Sequence, residues 1–274
     1  MNHFFDSHCH FDFDHFDKDR SAVWQQAQAL GLQGVLIPGV TPSQWPQAQL
    51  LSQQLQGGLY AIGLHPWWLN AYLSQSECDK NDWAINDWAA HLVQCMAPFA
   101  KDQHCKAIGE TGLDACMPPS KQVSLDKQQA MVSAHLRCAN HFKMPVILHC
   151  RKAHNELLAC LDQVKPVAGG VLHGFTGSTQ LAQNYWRRGL RIGVGGSITY
   201  PRANKTRQAI QALPDEALVL ETDAPDMPLS GKQGQRNSPE YVPQIAQALA
   251  ALRGQALDCV TQYTLYNSRK LFDF

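Results

Sequence analysis

The chain has 274 residues, 45% of them hydrophobic and 17% charged, which is typical of a globular protein with a large core. Its 23 basic residues balance 23 acidic ones, which excludes a global electrostatic attraction to nucleic acid or anionic membranes, so any polyanionic substrate must be held locally. Nine cysteines without CxxC spacing, no apolar run of membrane-spanning length and no signal-like N-terminus predict a reduced cytoplasmic protein without membrane contact.

Apolar runs of strand length alternate with longer helical patterns along the whole chain. The strands are predicted over about 4–10, 34–40, 59–64, 106–109, 144–148, 170–172, 191–196 and 217–220. The helices are predicted at 20–30, from 41, at 82–96, at 121–141, up to Leu161, after a capping Ser178, after Ser238-Pro239 and at 257–271.

Eight strand and helix pairs in one chain predict an α/β protein with a single (β/α)8 TIM barrel domain spanning residues 1–274. A doubly wound open sheet is the alternative. The two folds differ in where the C-terminal strand ends meet, because only a barrel brings all of them to one face. Seven residues that can ligate metal or transfer protons stand at such ends: His8, His10, His65, Glu110, His149, His173 and Asp223.

The first of these positions are two histidines one residue apart. Side chains at i and i+2 of an extended strand point the same way, so His8 and His10 can present two imidazole nitrogens to one metal ion. The alternative is a histidine-rich N-terminus, since His3 and His15 lie nearby. The recurrence of histidines and carboxylates at later strand ends favours the metal site.

Four histidines and two carboxylates on one face exceed the protein ligands of a single zinc, which predicts two adjacent metals and a bridging carboxylate. Glu110 is the expected bridge, beside Gly109 and Gly112, and Asp223 is expected to take a proton from the attacking water. Alternatively, Glu110 could be a solvated turn residue and Asp223 could cap a loop. His149 and His173 could be core histidines with satisfied hydrogen bonds.

Six ordered blocks make the whole chain resemble the TatD-type metal-dependent hydrolases of the amidohydrolase superfamily. The blocks are Asp6-Ser7-His8-Cys9-His10, Gly63-Leu64-His65-Pro66, Ile108-Gly109-Glu110-Thr111-Gly112-Leu113-Asp114, His149-Cys150-Arg151, His173-Gly174-Phe175-Thr176-Gly177 and Glu221-Thr222-Asp223-Ala224-Pro225. The resemblance implies one metal held by His8, His10, Glu110 and Asp223 and a second held by Glu110, His149 and His173. It also implies phosphodiester hydrolysis, with family members described as DNases.

The chain departs from the family pattern in the block at His173, where Gly174 replaces the usual cysteine. This position is not a ligand. Glu110 stands where many amidohydrolases carry a carboxylated lysine, which favours the TatD branch. The segment 115–119 lacks the aromatic residues of many relatives, so the chemistry is better defined than the substrate.

We therefore expect a hydrolase with two divalent cations, Zn, Mn, Mg or Ni, acting on DNA ends, single-stranded DNA or a small phosphoester. Asp223 and Glu110 are the expected catalytic residues. His65 and Arg151 are expected to contact phosphate, while Tyr200 and Arg202, in the basic segment 199–207, are candidates for single-strand binding. Alternatively, His65 could be a turn residue and Arg151 a surface residue. Tyr200 and Arg202 could belong to the first turns of a solvated helix.

Other functions stay open at this stage. The same metal centre could hydrolyse an amide, a lactone or a small phosphomonoester, because fold and metals define the reaction type more than the substrate. A binding or quality-control protein is the alternative outside enzymes, and the complete ligand set argues against it. The oligomeric state is open, a monomer being plausible, and the tryptophans at 67, 68, 83 and 88 could form a lid, a partner surface or buried packing.

Overall fold

The computed structural model describes residues 2–74 and 85–274, and within them eight parallel strands follow one another in chain order around one sheet. The strands are β1 (Phe4–Asp6), β2 (Leu32–Ile37), β3 (Gly58–Ile62), β4 (Cys105–Asp114), β5 (Val146–Arg151), β6 (Gly170–Leu172), β7 (Leu190–Val194) and β8 (Leu218–Leu220).

Helices follow the strands and cover the outside of the sheet. They are α1 (Arg20–Ala29), α2 (Trp45–Gln54), α3 (Pro66–Ser74), α4 (Ile85–Met96), α5 (Leu125–Phe142), α6 (His154–Gln163), α7 (Thr179–Arg187), α8 (Asn204–Ala212), α9 (Val242–Arg253) and α10 (Leu257–Phe272). None of the helices within 2–74 and 85–274 combines the length and the apolarity needed to cross a membrane.

The sheet closes between its first and last strands. The amide of Ser7, just after β1, donates to the carbonyl of Leu220 in β8 at 2.9 Å, and the amide of Asp223 donates to the carbonyl of His8 at 2.9 Å. In an open doubly wound sheet these two strands would not meet. The predicted (β/α)8 barrel is therefore confirmed.

Two apolar clusters follow from the alternation of side chains along each strand. One cluster draws on seven strands, as expected for a filled barrel interior, through Phe5, Leu36, Leu59, Ala61, Ala107, Ile147, Val171 and Val219. The other packs the outward side chains under the helices. The ring of Phe5 lies 6.1 Å from that of Phe272, so α10 covers the end where the strands begin.

Several predicted boundaries were wrong in ways that matter for the site. β1 ends at Asp6, so His8 and His10 lie beyond the strand. The Cys9 amide donates to the Leu36 carbonyl and the His10 amide to the Ala224 carbonyl, and these bonds fix the segment against its neighbours. β4 runs on to Asp114, so Glu110 lies within the strand and not after it.

Helix boundaries also differ from the prediction. α3 was not predicted, although Pro66 suits the first turn of a helix. α5 starts at Leu125 and not near 121, because the Ser124 hydroxyl caps it by accepting from the Lys127 amide. Residues 82–84 of the predicted helix lie outside the described residues, as does the tryptophan at 83.

Candidate metal centre

The carboxylate of Glu110 lies buried at the centre of five histidine side chains. Its Oε2 is 3.1 Å from Nε2 of His8 and 3.4 Å from Nε2 of His10. Its Oε1 faces the others, at 2.7 Å from His173 Nε2, 3.2 Å from His65 Nε2 and 3.3 Å from His149 Nδ1. Each oxygen of the Glu110 carboxylate therefore contacts a different group of imidazoles.

The second carboxylate, that of Asp223, lies on the His8 side of this cluster. Its Oδ1 is 3.4 Å from His8 Nε2, 3.7 Å from His10 Nε2 and 3.8 Å from His173 Nδ1. Asp223 adopts a backbone φ of 57°, a left-handed conformation that aspartate tolerates better than most residues. Burial raises the pKa of Asp223, although the nearby His173 and His10 oppose this shift.

Glycines let the backbone of β4 carry Glu110 so close to its neighbours. A Cβ atom on Gly112 would collide with the carbonyl oxygen of His149 in β5. Gly109 has a φ of 140°, where a Cβ atom would also meet the Ile147 carbonyl. The two glycines that flank Glu110 therefore permit a close approach of β4 and β5 that a side chain at either position would prevent.

Asp114 is a site residue to which the sequence analysis gave no role. Its Oδ2 lies 3.3 Å from His149 Nε2 and accepts a hydrogen bond from Trp67 Nε1 at 2.7 Å. Burial alone would raise the pKa of Asp114, but these bonds lower it to about 2. Burial alone would lower the pKa of His149, but its bonds to Asp114 and Glu110 raise it to about 9. The spacing was a usable signal, because residues four apart in one strand face the same side.

Two further buried carboxyl groups, those of Asp6 and Glu221, bond backbone amides next to residues of the centre. Asp6 accepts hydrogen bonds from the Thr222 hydroxyl at 2.6 Å and the Thr222 amide at 2.9 Å, which ties β1 to the loop that carries Asp223. Burial raises the pKa of Asp6 to about 7. Glu221 accepts from the Gly174 amide at 2.6 Å, and burial raises its pKa well above the usual value. Both residues belong to the sequence blocks named above, but no role was predicted for either of them.

Several buried polar atoms of the centre have no hydrogen-bond partner among the described residues. They are both ring nitrogens of His8, Nδ1 of His10, Nδ1 of His173 and Oε2 of Glu110. Two of them, Nε2 of His8 and Oε2 of Glu110, face each other across 3.1 Å, as expected of atoms that would share a cation. Nδ1 of His149 also lies 3.1 Å from Nε2 of His173, so only one of these two nitrogens can carry a proton in this contact. Although burial opposes it, the surrounding histidines hold the pKa of Glu110 well below its usual value.

The spacing of these atoms fits metal ligation. Two ligands bound to one zinc ion at about 2.0–2.1 Å in a tetrahedron lie about 3.4 Å apart. Donor atoms lie within 4.8 Å of one another in three groups: His8, His10 and Glu110; His8, His173 and Asp223; His65, Glu110 and His149. His65, which was expected to contact phosphate, lies as close to Glu110 as the other histidines.

A cavity of about 340 Å³ opens onto this centre, within the size range of small-molecule sites. Arg151 lines it, as do His10, His65, Glu110, His149, His173 and Asp223. Tyr200 and Arg202 are not among its lining residues. The Tyr200 hydroxyl donates to the Pro228 carbonyl at 2.8 Å, and the Arg202 guanidinium lies 5.5 Å from the Tyr200 ring centroid. The structure therefore does not bring these two residues to the cluster.

The chain matches the family described as TatD related DNase over residues 5–273. It is 37% identical to the Escherichia coli K12 protein described as uncharacterized metal-dependent hydrolase YjjV, over 270 residues that cover 98% of each chain. It is 33% identical over 263 residues to the Klebsiella pneumoniae 3'-5' ssDNA/RNA exonuclease TatD, covering 94% of this chain and 93% of the other. The crystal structure of E. coli YjjV, described as a TatD homolog, superposes with a TM-score of 0.86 at 36% identity and covers 99% of this chain and 98% of that one.

Proposed function

This chain belongs to the TatD-related DNases and is a metal-dependent hydrolase, and from that premise we propose that it cleaves phosphodiester bonds at the ends of single-stranded DNA. A relative at 33% identity is named as a 3'-5' exonuclease acting on single-stranded DNA and RNA, which supports hydrolysis from the 3′ end. The described cysteines are free thiols, which supports a reducing compartment such as the cytoplasm.

The observation that carries the proposal is the division of imidazoles between the two oxygens of Glu110. One divalent cation would be held by His8, His10, Asp223 and Oε2 of Glu110. The other would be held by His149, His173 and Oε1 of Glu110, with His65 near enough to be an additional ligand. Mixed imidazole and carboxylate ligands suit Zn, Mn or Ni, and Mg less well.

Two such cations, when bound, would supply Lewis-acid activation of a water molecule and of the phosphoryl group. Glu110 would fix the spacing of the two positions. Asp223, whose carboxylate borders the cavity, would accept the proton of the attacking water. Arg151, at the rim of the same cavity, would bind the phosphoryl oxygens through its planar guanidinium.

We also propose that Tyr200 and Arg202 contact the substrate strand. Because they lie outside the cavity, they would contact only a strand that extends beyond the cleaved nucleotide. Their neighbours Lys205 and Arg207 give this segment a local positive charge, although the whole chain is neutral.

Hydrolysis of a small phosphoester is the second candidate. The limited volume of the cavity and the opposite charges of Arg151 and Asp226 along it favour a compact substrate over a long polyanion. A phosphoester, lactone or amide substrate would use the same centre.

A substrate panel tests the proposal. Metal-loaded protein is assayed with an end-labelled single-stranded oligonucleotide, a chromogenic phosphodiester, a lactone and an amide. We expect stepwise shortening of the oligonucleotide from its 3′ end. Glu110→Gln should abolish this activity, and the exposed Glu216→Gln variant should keep it. Turnover of the lactone or amide alone would overturn the phosphodiester assignment.

A further inference from the structure

Three aromatic side chains form one side of the cavity: Phe13, Trp67 and Trp68, here called the aromatic wall. Phe13 stacks on His10 with centroids 4.6 Å apart, and its ring lies 6.4 Å from that of Trp68. Trp68 also meets His65 edge to face at 5.3 Å. The wall is therefore continuous with the histidines of the metal centre.

The wall is fixed in position although its rings are only partly buried. The Trp67 indole N–H donates to the buried Asp114 carboxylate at 2.7 Å. The Lys121 ammonium lies 4.6 Å from the Trp68 ring centroid and 5.5 Å from that of Trp67, yet Lys121 does not line the cavity. This cation therefore packs on the indoles from outside, and apolar ring surface remains turned toward the cavity.

The rest of the cavity has a different chemical character. Its floor carries Glu110, Asp223 and the histidines, and Arg151, Thr176 and Asp226 line it as well. A ligand that fits both parts carries a phosphoryl group next to a flat, weakly polar ring. A nucleotide has this composition, and one with its base unpaired can place that base against the wall.

The charge of the cavity also favours binding through base stacking. The rim pairs one cation, Arg151, with one anion, Asp226, and the whole chain has a formal net charge of +0. Outside the metal centre, Coulomb attraction to a strand of phosphates is therefore weak. Stacking of a base on an aromatic ring supplies affinity that does not depend on net charge.

We propose that the aromatic wall is the subsite for the terminal base of a single-stranded nucleic acid, with Trp68 as its principal stacking surface. The proposal rests on the proposed function, since it assumes that the phosphodiester lies over the metal centre. It adds that an unpaired base, and not the phosphate alone, determines which ends are bound.

The test compares two short single strands that differ only at the 3′ end, one with thymine and one with an abasic residue. A phosphorothioate in the last linkage slows hydrolysis, so fluorescence anisotropy with metal-loaded protein reports binding. We expect wild type to prefer the thymine end by about 5- to 150-fold, the range of base stacking on an aromatic side chain. Trp68→Ala should lose this preference and Trp68→Phe should keep part of it.

Trp186→Ala is the matched control, because Trp186 is also partly buried against the core but does not line the cavity. Equal binding of both ends by wild type overturns the proposal, as does a preference that survives Trp68→Ala. Hydrolysis of the unmodified strand is measured in parallel. If the unmodified strand is not hydrolysed, the proposed function is refuted, and the binding comparison alone tests whether the aromatic wall holds the terminal base.

A second measurement does not depend on whether Trp68→Ala folds. A terminal iodouracil base is photocrosslinked to metal-loaded wild-type protein, and the modified peptide is mapped by mass spectrometry. A crosslink to Phe13, Trp67 or Trp68 supports the proposal. A crosslink confined to any other segment, including the one around Tyr200, overturns it.

Discussion

The carboxylate of Asp114 lies 3.3 Å from Nε2 of His149, and the opposite nitrogen of that imidazole lies 3.3 Å from Oε1 of Glu110. A histidine that donates one N–H to a carboxylate has its tautomer and its ring orientation fixed. When a cation displaces the other proton, the lone pair of His149 Nδ1 would thereby be directed at the centre. Asp114 is accordingly a positioning residue, which acts through His149.

Replacing Asp114 by asparagine should weaken this arrangement without removing a proposed ligand. We expect metal affinity or hydrolysis to fall by about 10- to 100-fold, the usual effect of losing a partner of a metal-binding histidine. Competition with a chromophoric chelator measures the affinity. Asp126→Asn, on the exposed start of α5, serves as control and should behave as wild type. Unchanged affinity and activity in Asp114→Asn would contradict this role.

Arg151 provides the second prediction. If it binds the phosphoryl group, Arg151→Ala should raise KM for a phosphodiester by about 10-fold or more, because hydrogen bonds to charged groups contribute about 1.5–3 kcal/mol. Lysine should restore only part of this, since it lacks the planar fork. Steady-state kinetics with Arg187→Ala, an exposed arginine on α7, gives the comparison. A change in kcat with an unchanged KM would argue against phosphate binding.

Arg202 should matter only for long substrates. Since it lies outside the cavity, Arg202→Ala should weaken binding of an extended single strand and leave hydrolysis of a chromogenic phosphodiester unchanged. The salt dependence of binding to the strand should also become shallower, because a phosphate contact is lost. Equal binding of the long strand by variant and wild type would remove Arg202 from the substrate path.

His135 is expected to make the stability of the fold depend on pH. It lies fully buried in α5, where its Nε2 accepts from the Leu64 amide and its Nδ1 bonds the Met131 carbonyl. Burial lowers the pKa of His135 from about 6.5 to about 4, although the bond to Met131 opposes the shift. The unfolded chain therefore binds this proton more readily than the native protein does.

The contribution of His135 to the free energy of unfolding is complete above about pH 6.5 and is lost as the pH falls toward about 4. The loss is about 3 kcal/mol over this range. Urea unfolding of wild type and His135→Gln across this range measures it. The wild type should lose more stability than the variant as the pH falls, and His141→Gln, exposed at the end of α5, should follow wild type. Parallel curves for wild type and His135→Gln would contradict the assignment.

The barrel and most of the cluster around Glu110 could be predicted because they depend on simple periodicities. Eight apolar runs define the strands, and strand ends converge in a barrel, so His149, His173 and Asp223 could be placed near one another from the sequence alone. The pattern does not define how far each strand extends. That is why Glu110 was expected after β4 and lies inside it.

Side-chain partners across the barrel could not be predicted in the same way. The bond between Trp67 and Asp114 joins residues 47 positions apart and depends on the start of α3, which the sequence pattern did not reveal. Tyr200 was placed near the substrate because of nearby charges. Its hydroxyl instead bonds the Pro228 carbonyl, a contact that depends on the fold of two loops.

The central claim is that Glu110 joins two cation sites that hydrolyse a phosphodiester. The most direct test measures bound metal per chain by mass spectrometry, together with cleavage of single-stranded DNA, after chelation and add-back of Mg, Mn or Zn. We predict two equivalents in wild type, with cleavage lost on chelation and restored on add-back, and fewer equivalents and no cleavage in Glu110→Ala. Full metal content and cleavage in Glu110→Ala, or a fully loaded wild type that cleaves no phosphodiester, would contradict the claim.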